Sequence, residues 1–154
     1  MRLAGSVYRS ALFALAAFAA PTGGAASASA REAPVAIGEV SSAVPRADVD
    51  FGAVLRESAE SELRGLDLSA VARKERSIVS LALVRMDTLA TGTGLSTTCV
   101  VSATLRSARG GTVFAILEGR ARAENAAPHR RALEENALKG AVHGAMGGLK
   151  DALR

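Results

Sequence analysis

The chain has 154 residues, 19 basic against 15 acidic side chains, a single cysteine and a pI near 10.0. One cysteine excludes an intrachain disulfide, so stability must come from packing unless Cys99 pairs between chains. Only Lys74, Lys139 and Lys150 are lysines. The high pI therefore reflects arginine, and no block of like charge marks a nucleic-acid or membrane tail.

Residues 1–30 read as a secretory signal peptide. Met1, Arg2 and Arg9 form a positive start, Ala11 to Ala20 is a continuous apolar run, and Pro21 to Ala30 is small and breaker-rich. It ends in two overlapping A-x-A sites, Ala26-Ser27-Ala28 and Ala28-Ser29-Ala30, which fits cleavage by the export machinery. A membrane span would need about 20 apolar residues, and Pro21 interrupts the run too early. A lipoprotein would need a cysteine just after it, whereas the cysteine is Cys99. Cleavage after Ala30 leaves Arg31 to Arg154, the size of one domain with one core, ending up in the periplasm or outside the cell. Tyr8, Phe13 and Phe18 leave with the signal, so only Phe51 and Phe114 remain as aromatics. Base-stacking platforms need aromatic faces, which argues against nucleic acid as a partner.

Within the mature chain, Pro34 to Val40 alternates, with Val35 and Ile37 on one face, and predicts a short strand. Ser41 to Asp50 is a loop in which Asp48 or Asp50 caps the next element. Phe51, Val54, Leu55, Ala59 and Leu63 form one apolar helical stripe, with Gly65 as its stop. Leu66 to Arg76 is ambiguous; Asp67 or Ser69 could cap one helical turn running to Lys74. From Ser77 the pattern is extended through Ile78 to Met86, and Thr91 to Ser96 reads as a turn region.

Thr98 to Arg106 and Thr112 to Arg122 flank Arg109-Gly110-Gly111 and predict a hairpin with a three-residue loop. That loop pairs Leu105 with Ala115, Ala103 with Leu117, Val101 with Gly119 and Cys99 with Ala121, all apolar or small. A two-residue loop would mix the faces, and register is fixed where one face is buried. The opposite face then carries Val100, Ser102, Thr104 and Arg106 beside Phe114, Ile116, Glu118, Arg120 and Arg122. A last helix is expected from about Pro128 to Leu153, with Leu133, Ala137, Leu138, Ala141, Val142, Ala145, Met146, Leu149 and Leu153 as its stripe. Glu134 and Glu135 suit its amino-terminal dipole end and Lys150 and Arg154 the other. Gly140, Gly144 and Gly148 recur every fourth residue, each costing roughly 0.8–1 kcal/mol against alanine. They predict close backbone approach, either to the small face of Ala103, Ala115, Gly119 and Ala121 or to a second subunit.

Catalytic groupings are thin. His129 and His143 stand too far apart along one helix to share a metal, Cys99 falls on the buried face as a small hydrophobe, and Glu57, Glu60 and Glu62 read as a solvated helix face. Thr91-Gly92-Thr93-Gly94 lacks the rest of a phosphate-cradling motif. No catalytic, cofactor-binding or metal-binding residues are assigned, and no cofactor is expected. A candidate protein-contact patch is assigned to Arg106, Phe114, Ile116, Arg120 and Arg122.

The order strand, helix, strand, hairpin, long helix behind an export signal resembles small α/β domains of the bacterial envelope, of the TolB amino-terminal and curli-secretion lipoprotein type. The resemblance covers Pro34 to Leu153 through element order, with no motif matched residue by residue, and it implies binding and assembly work. The expected architecture is one α+β domain: a three- to four-stranded, mainly antiparallel sheet with two helices, the long C-terminal helix packed on one face. The function expected is a non-enzymatic, exported envelope protein that binds another envelope protein or itself, with no membrane anchor after cleavage. The alternatives are a small exported hydrolase using Cys99 or a serine, and a small-ligand carrier with a cavity under the long helix.

Overall fold

The structure is a computed structural model that describes residues 34–46, 48–69, 76–92, 94–126 and 129–154. The expected signal peptide, the Lys74 end of the possible turn after Asp67, and Pro128 lie outside the described residues. Asp50 opens the first helix as foreseen. Its Oδ1 accepts from the Ala53 N–H at 3.0 Å, and α1 runs Phe51–Gly65. Phe51, Leu55 and Ala59 are buried, with Val54 and Leu63 packed against them. The helix ends where Leu66 turns extended and donates its N–H to the Glu62 and Leu63 carbonyls.

Four strands form one sheet in the order β1-β2-β3-β4: β1 Val35–Ser42, β2 Ser77–Thr91, β3 Gly94–Ser107 and β4 Val113–Asn125. The sheet is mixed rather than mainly antiparallel, because β1 pairs parallel with β2. A parallel neighbour needs a crossover connection, and α1 with its flanking loops supplies it. The region read as a turn at Thr91 to Ser96 is tighter than expected. Thr91 already pairs with Gly94, so Leu95 and Ser96 belong to β3.

The predicted pairings of β3 with β4 are all present, from Leu105 with Ala115 to Cys99 with Ala121. The loop differs. Ser107 donates its N–H to the Thr112 carbonyl at 2.9 Å, leaving four residues, Ala108 to Gly111, in the connection. Gly111 takes φ +67°, a conformation that costs other residues energy. One extra residue at Phe114 then restores the register, since Leu105 pairs with Ala115 but Arg106 with Val113.

A second irregularity lies in β2, where Leu83 pairs with Val101 and Arg85 with Val100. Val84 is the surplus residue, and it reverses the strand's alternation. Before it, Val79, Leu81 and Leu83 face the helices; after it, Met86 and Thr88 do, opposite Cys99 and Thr97.

The last helix is interrupted once. α2 spans Arg130–Gly147, Gly148 ends it, and a short α3 follows at Leu149–Ala152. The glycine ridge lies on β4 of the same chain: a Cβ on Gly140 would meet Ala121 Cβ at 3.0 Å, one on Gly144 would meet Gly119 Cα at 3.5 Å, and one on Gly148 would meet a Leu117 methyl at 3.3 Å. Gly119 reciprocates, because a Cβ there would sit 1.8 Å from the Ala141 carbonyl oxygen. α1 and α2 thus cover one sheet face, and Val79, Leu83, Val101, Leu105, Leu138, Val142 and Met146 meet between the layers.

Candidate protein-contact face

No described helix covers the other sheet face. Residues paired in register point to the same side, so this face carries Arg85, Asp87 and Leu89 from β2, Ser96, Thr98 and Val100 from β3, and Ile116, Glu118, Arg120, Arg122 and Glu124 from β4. A depression of about 600 Å³ lies across it, with the β3 residues between walls that include Arg85, Leu89, Arg120 and Arg122. Each arginine leans on a carboxylate two residues away on its own strand. Arg120 reaches Glu118 at 3.3 Å and Arg122 reaches Glu124 at 2.6 Å, while Arg85 pairs with Asp87. Arg122 Nε also donates to Ser96 Oγ at 2.9 Å. Exposed pairs of this kind contribute little to folding, typically about 0–1 kcal/mol, so their charges are open to exchange with a partner.

The candidate patch divides in two. Arg120 and Arg122 line the depression, whereas Arg106, Phe114 and Ile116 lie on the same face toward the β3–β4 turn. There Val113, Phe114 and Ile116 are 50%, 48% and 69% exposed. Arg106 Nε, beside them, is buried without a hydrogen-bond partner among the described residues. Arg85, Asp87 and Leu89 were missed by sequence reasoning. Their period of two is visible in the chain, but the bulge at Val84 decides which way they point.

A second polar constellation lies under the helices. Glu134 is 1% exposed. Its carboxylate accepts from Arg46 Nη1 at 3.1 and 3.2 Å, Arg130 Nε at 2.7 Å and Thr88 Oγ1 at 2.9 Å. Thr88 also shares a 2.8 Å hydrogen bond with the fully buried Thr97. Arg46 in turn holds Asp48 through Nε and Nη2, which brings the Asp48 carboxyl down to about 2. Buried charge is tolerated when it is paired and hydrogen-bonded, and this cluster ties the β1–α1 loop, β2 and the start of α2 together. Glu134 is therefore a buried hub rather than a surface dipole partner. The signal for it was its place four residues before Leu138 on the apolar stripe.

The catalytic candidates separate. Cys99 is buried, and desolvation pushes its thiol up to about 12, which keeps it protonated at neutral pH. That is a small hydrophobe, not an activated nucleophile. His143 is exposed and its Nδ1 lies 3.0 Å from Glu62 Oε2; His129 precedes α2 without capping it through its side chain. Among the described residues no group of three His, Cys, Asp or Glu side chains is placed to hold a metal ion, and no helix is long and apolar enough to cross a membrane.

No family model matches the chain, and no curated protein matches it in sequence. Among solved structures it is similar to a protein of Caulobacter crescentus described as a "putative lipoprotein", at 14% identity and a TM-score of 0.44 over 78% of this chain and 87% of that one. A hypothetical protein of Chlamydia trachomatis aligns at 11% identity and a TM-score of 0.48, over 77% and 91% of the two chains. A lipoprotein of Neisseria meningitidis aligns at 16% identity and a TM-score of 0.30, over 37% and 40%.

Proposed function

We propose that this chain is an exported protein of the bacterial envelope that works by protein contact rather than catalysis, with the open sheet face as its contact surface. One observation carries the reading: Val113, Phe114 and Ile116 stand exposed together on a sheet face that no described helix covers, with arginines beside them. Clustered exposed apolar side chains mark interaction sites, and aromatic residues and arginine are enriched at protein interfaces. The signal pattern of residues 1–30 supports export to the periplasm or beyond. The binding and assembly work implied by the TolB and curli-secretion resemblance agrees with it, and no cofactor is required.

The test is in-cell crosslinking of the full-length gene product in a Gram-negative host. A photoreactive residue at Ile116 is expected to capture a protein partner, while one at the exposed Lys139 on α2 captures none, and the isolated product begins at Ser29 or Arg31. Equal labelling from both positions, or none from Ile116, refutes the contact face. A product that retains Met1 refutes export with cleavage.

A further inference from the structure

We propose that β4 is the seam of a homodimer, in which two copies pair their β4 strands antiparallel about a twofold axis at Gly119 and extend the sheet to eight strands. The inference rests on the protein-contact reading and names a second copy of this chain as a partner.

The first argument is the strand itself. β4 is the last strand in the sheet order and, among the described residues, pairs only with β3, which leaves no described strand along the outer edge of its 13 residues. Strands usually run about 5–6 residues, and a long open edge is a template for further pairing. The usual protections are weak here. β4 contains no proline, its inward positions are Ala115, Leu117, Gly119, Ala121 and Ala123, and its outward charges are of both signs.

Charge then selects the register. If both α2 helices lie on one side of a joined sheet, paired residues must share a face, so the axis passes through a residue position. With the axis at Gly119, Glu118 faces the partner's Arg120, and Arg120 faces the partner's Glu118. Ile116 then faces the partner's Arg122, whose aliphatic stem can cover it. Moving the axis one residue back sets Glu118 against itself, and one residue forward sets Arg120 against itself. Like charges directly opposite are destabilising.

Packing beneath the sheet agrees with the same axis. Adjacent strands lie about 4.8 Å apart, while packed helices need about 8–10 Å between axes. α2 lies across β3 as well as β4, with backbone contact at Gly119, so its axis stands back from the edge and two copies can bring their α2 helices to about that packing distance. Gly144 is the ridge residue nearest Gly119, with Gly140 one turn away, and both are exposed. Side chains are missing at the point where the two helices would meet.

Sedimentation of the purified exported chain over a wide concentration range tests the seam, with Glu118→Arg, Arg120→Glu and the double exchange. The parent chain is expected to dimerise. Each single change places like charges opposite at both symmetry-related pairs and weakens the dimer about tenfold or more, and the double exchange restores it. Both side chains are well exposed, so circular dichroism of the monomer should not change. A chain that stays monomeric throughout, single changes without effect, or a double exchange that fails to restore the dimer each overturn the proposal. Capture of a different protein from Ile116 in a strictly monomeric chain would overturn the seam and leave the contact face standing. A dimer in which Ile116 captures only its own copy supports the seam and the contact face together.

Discussion

Replacing Gly119 by alanine probes the contact that sets the spacing of the two layers. A Cβ there would lie 1.8 Å from the Ala141 carbonyl oxygen and 2.4 Å from the Ala145 nitrogen. Carbon–oxygen contacts normally sit at about 3.3–3.6 Å, so α2 and β4 must separate by roughly 1.5 Å. Both obstructing atoms are backbone in a regular helix and cannot swing aside. A gap of about 0.5–1 Å already forfeits a quarter to a half of each dispersion contact, and α2 buries eight residues against the core. Overpacking typically costs about 1–3 kcal/mol; Gly119→Ala belongs at or above the top of that range. The opposing gain, from restricting the unfolded chain and favouring the strand, is only about 0.5–1 kcal/mol, so destabilisation wins. Gly144→Ala is the contrast. Its Cβ would make an ordinary 3.5 Å contact, and the helix gains about 0.8–1 kcal/mol. Urea unfolding of the monomer should therefore show a lower midpoint for Gly119→Ala and a higher one for Gly144→Ala, with the slope unchanged. A Gly119→Ala chain as stable as the parent would refute backbone contact between α2 and β4.

Two further outcomes follow from the buried cluster. Glu134→Ala removes the carboxylate that Arg46, Arg130 and Thr88 share, leaving Arg46 to Asp48 and Thr88 to Thr97; losing hydrogen bonds to a buried charged group costs about 1.5–3 kcal/mol, so the unfolding midpoint should fall more than for the surface change Glu118→Ala, and equal effects would refute a buried hub. Acid unfolding reports on Asp48, whose carboxyl is lowered from 3.8 to about 2 by its hydrogen bonds from Arg46. A lowered native value stabilises above the unfolded value and is lost as pH falls through the native one. Asp48→Asn should therefore lose stability at neutral pH and flatten the pH dependence between about 4 and 2; an unchanged acid limb would count against the Arg46–Asp48 pair.

Much was legible locally. The Asp50 cap, the stripe from Phe51 to Leu63, and the pairing of Cys99 with Ala121 follow from side chains that share one face over a few residues, where a slip of one position would expose the whole set. Gly140 and Gly144 announced close approach to Ala121 and Gly119 of β4, which the hairpin register had already aligned, while Gly148 lies against Leu117 instead. Even the miscounted loop after Ser107 left that register intact, because the extra residue at Phe114 absorbed the difference.

Other features depended on the assembled layers. β1 reads equally well as a parallel or an antiparallel neighbour, and only the crossover through α1 settles its direction. Val84 looks like any strand residue, yet its bulge turns Arg85, Asp87 and Leu89 outward and Thr88 inward. Glu134 meets Arg46 from 88 residues away and Thr88 from 46, and no periodicity carries information over such distances. The sequence by itself determined which segments form helices and strands and which face of the hairpin is apolar, because those follow from neighbours along the chain. Only the tertiary structure decided which strand joins which, which carboxylate is buried and which sheet face is left open, because burial is a property of the surfaces that finally meet.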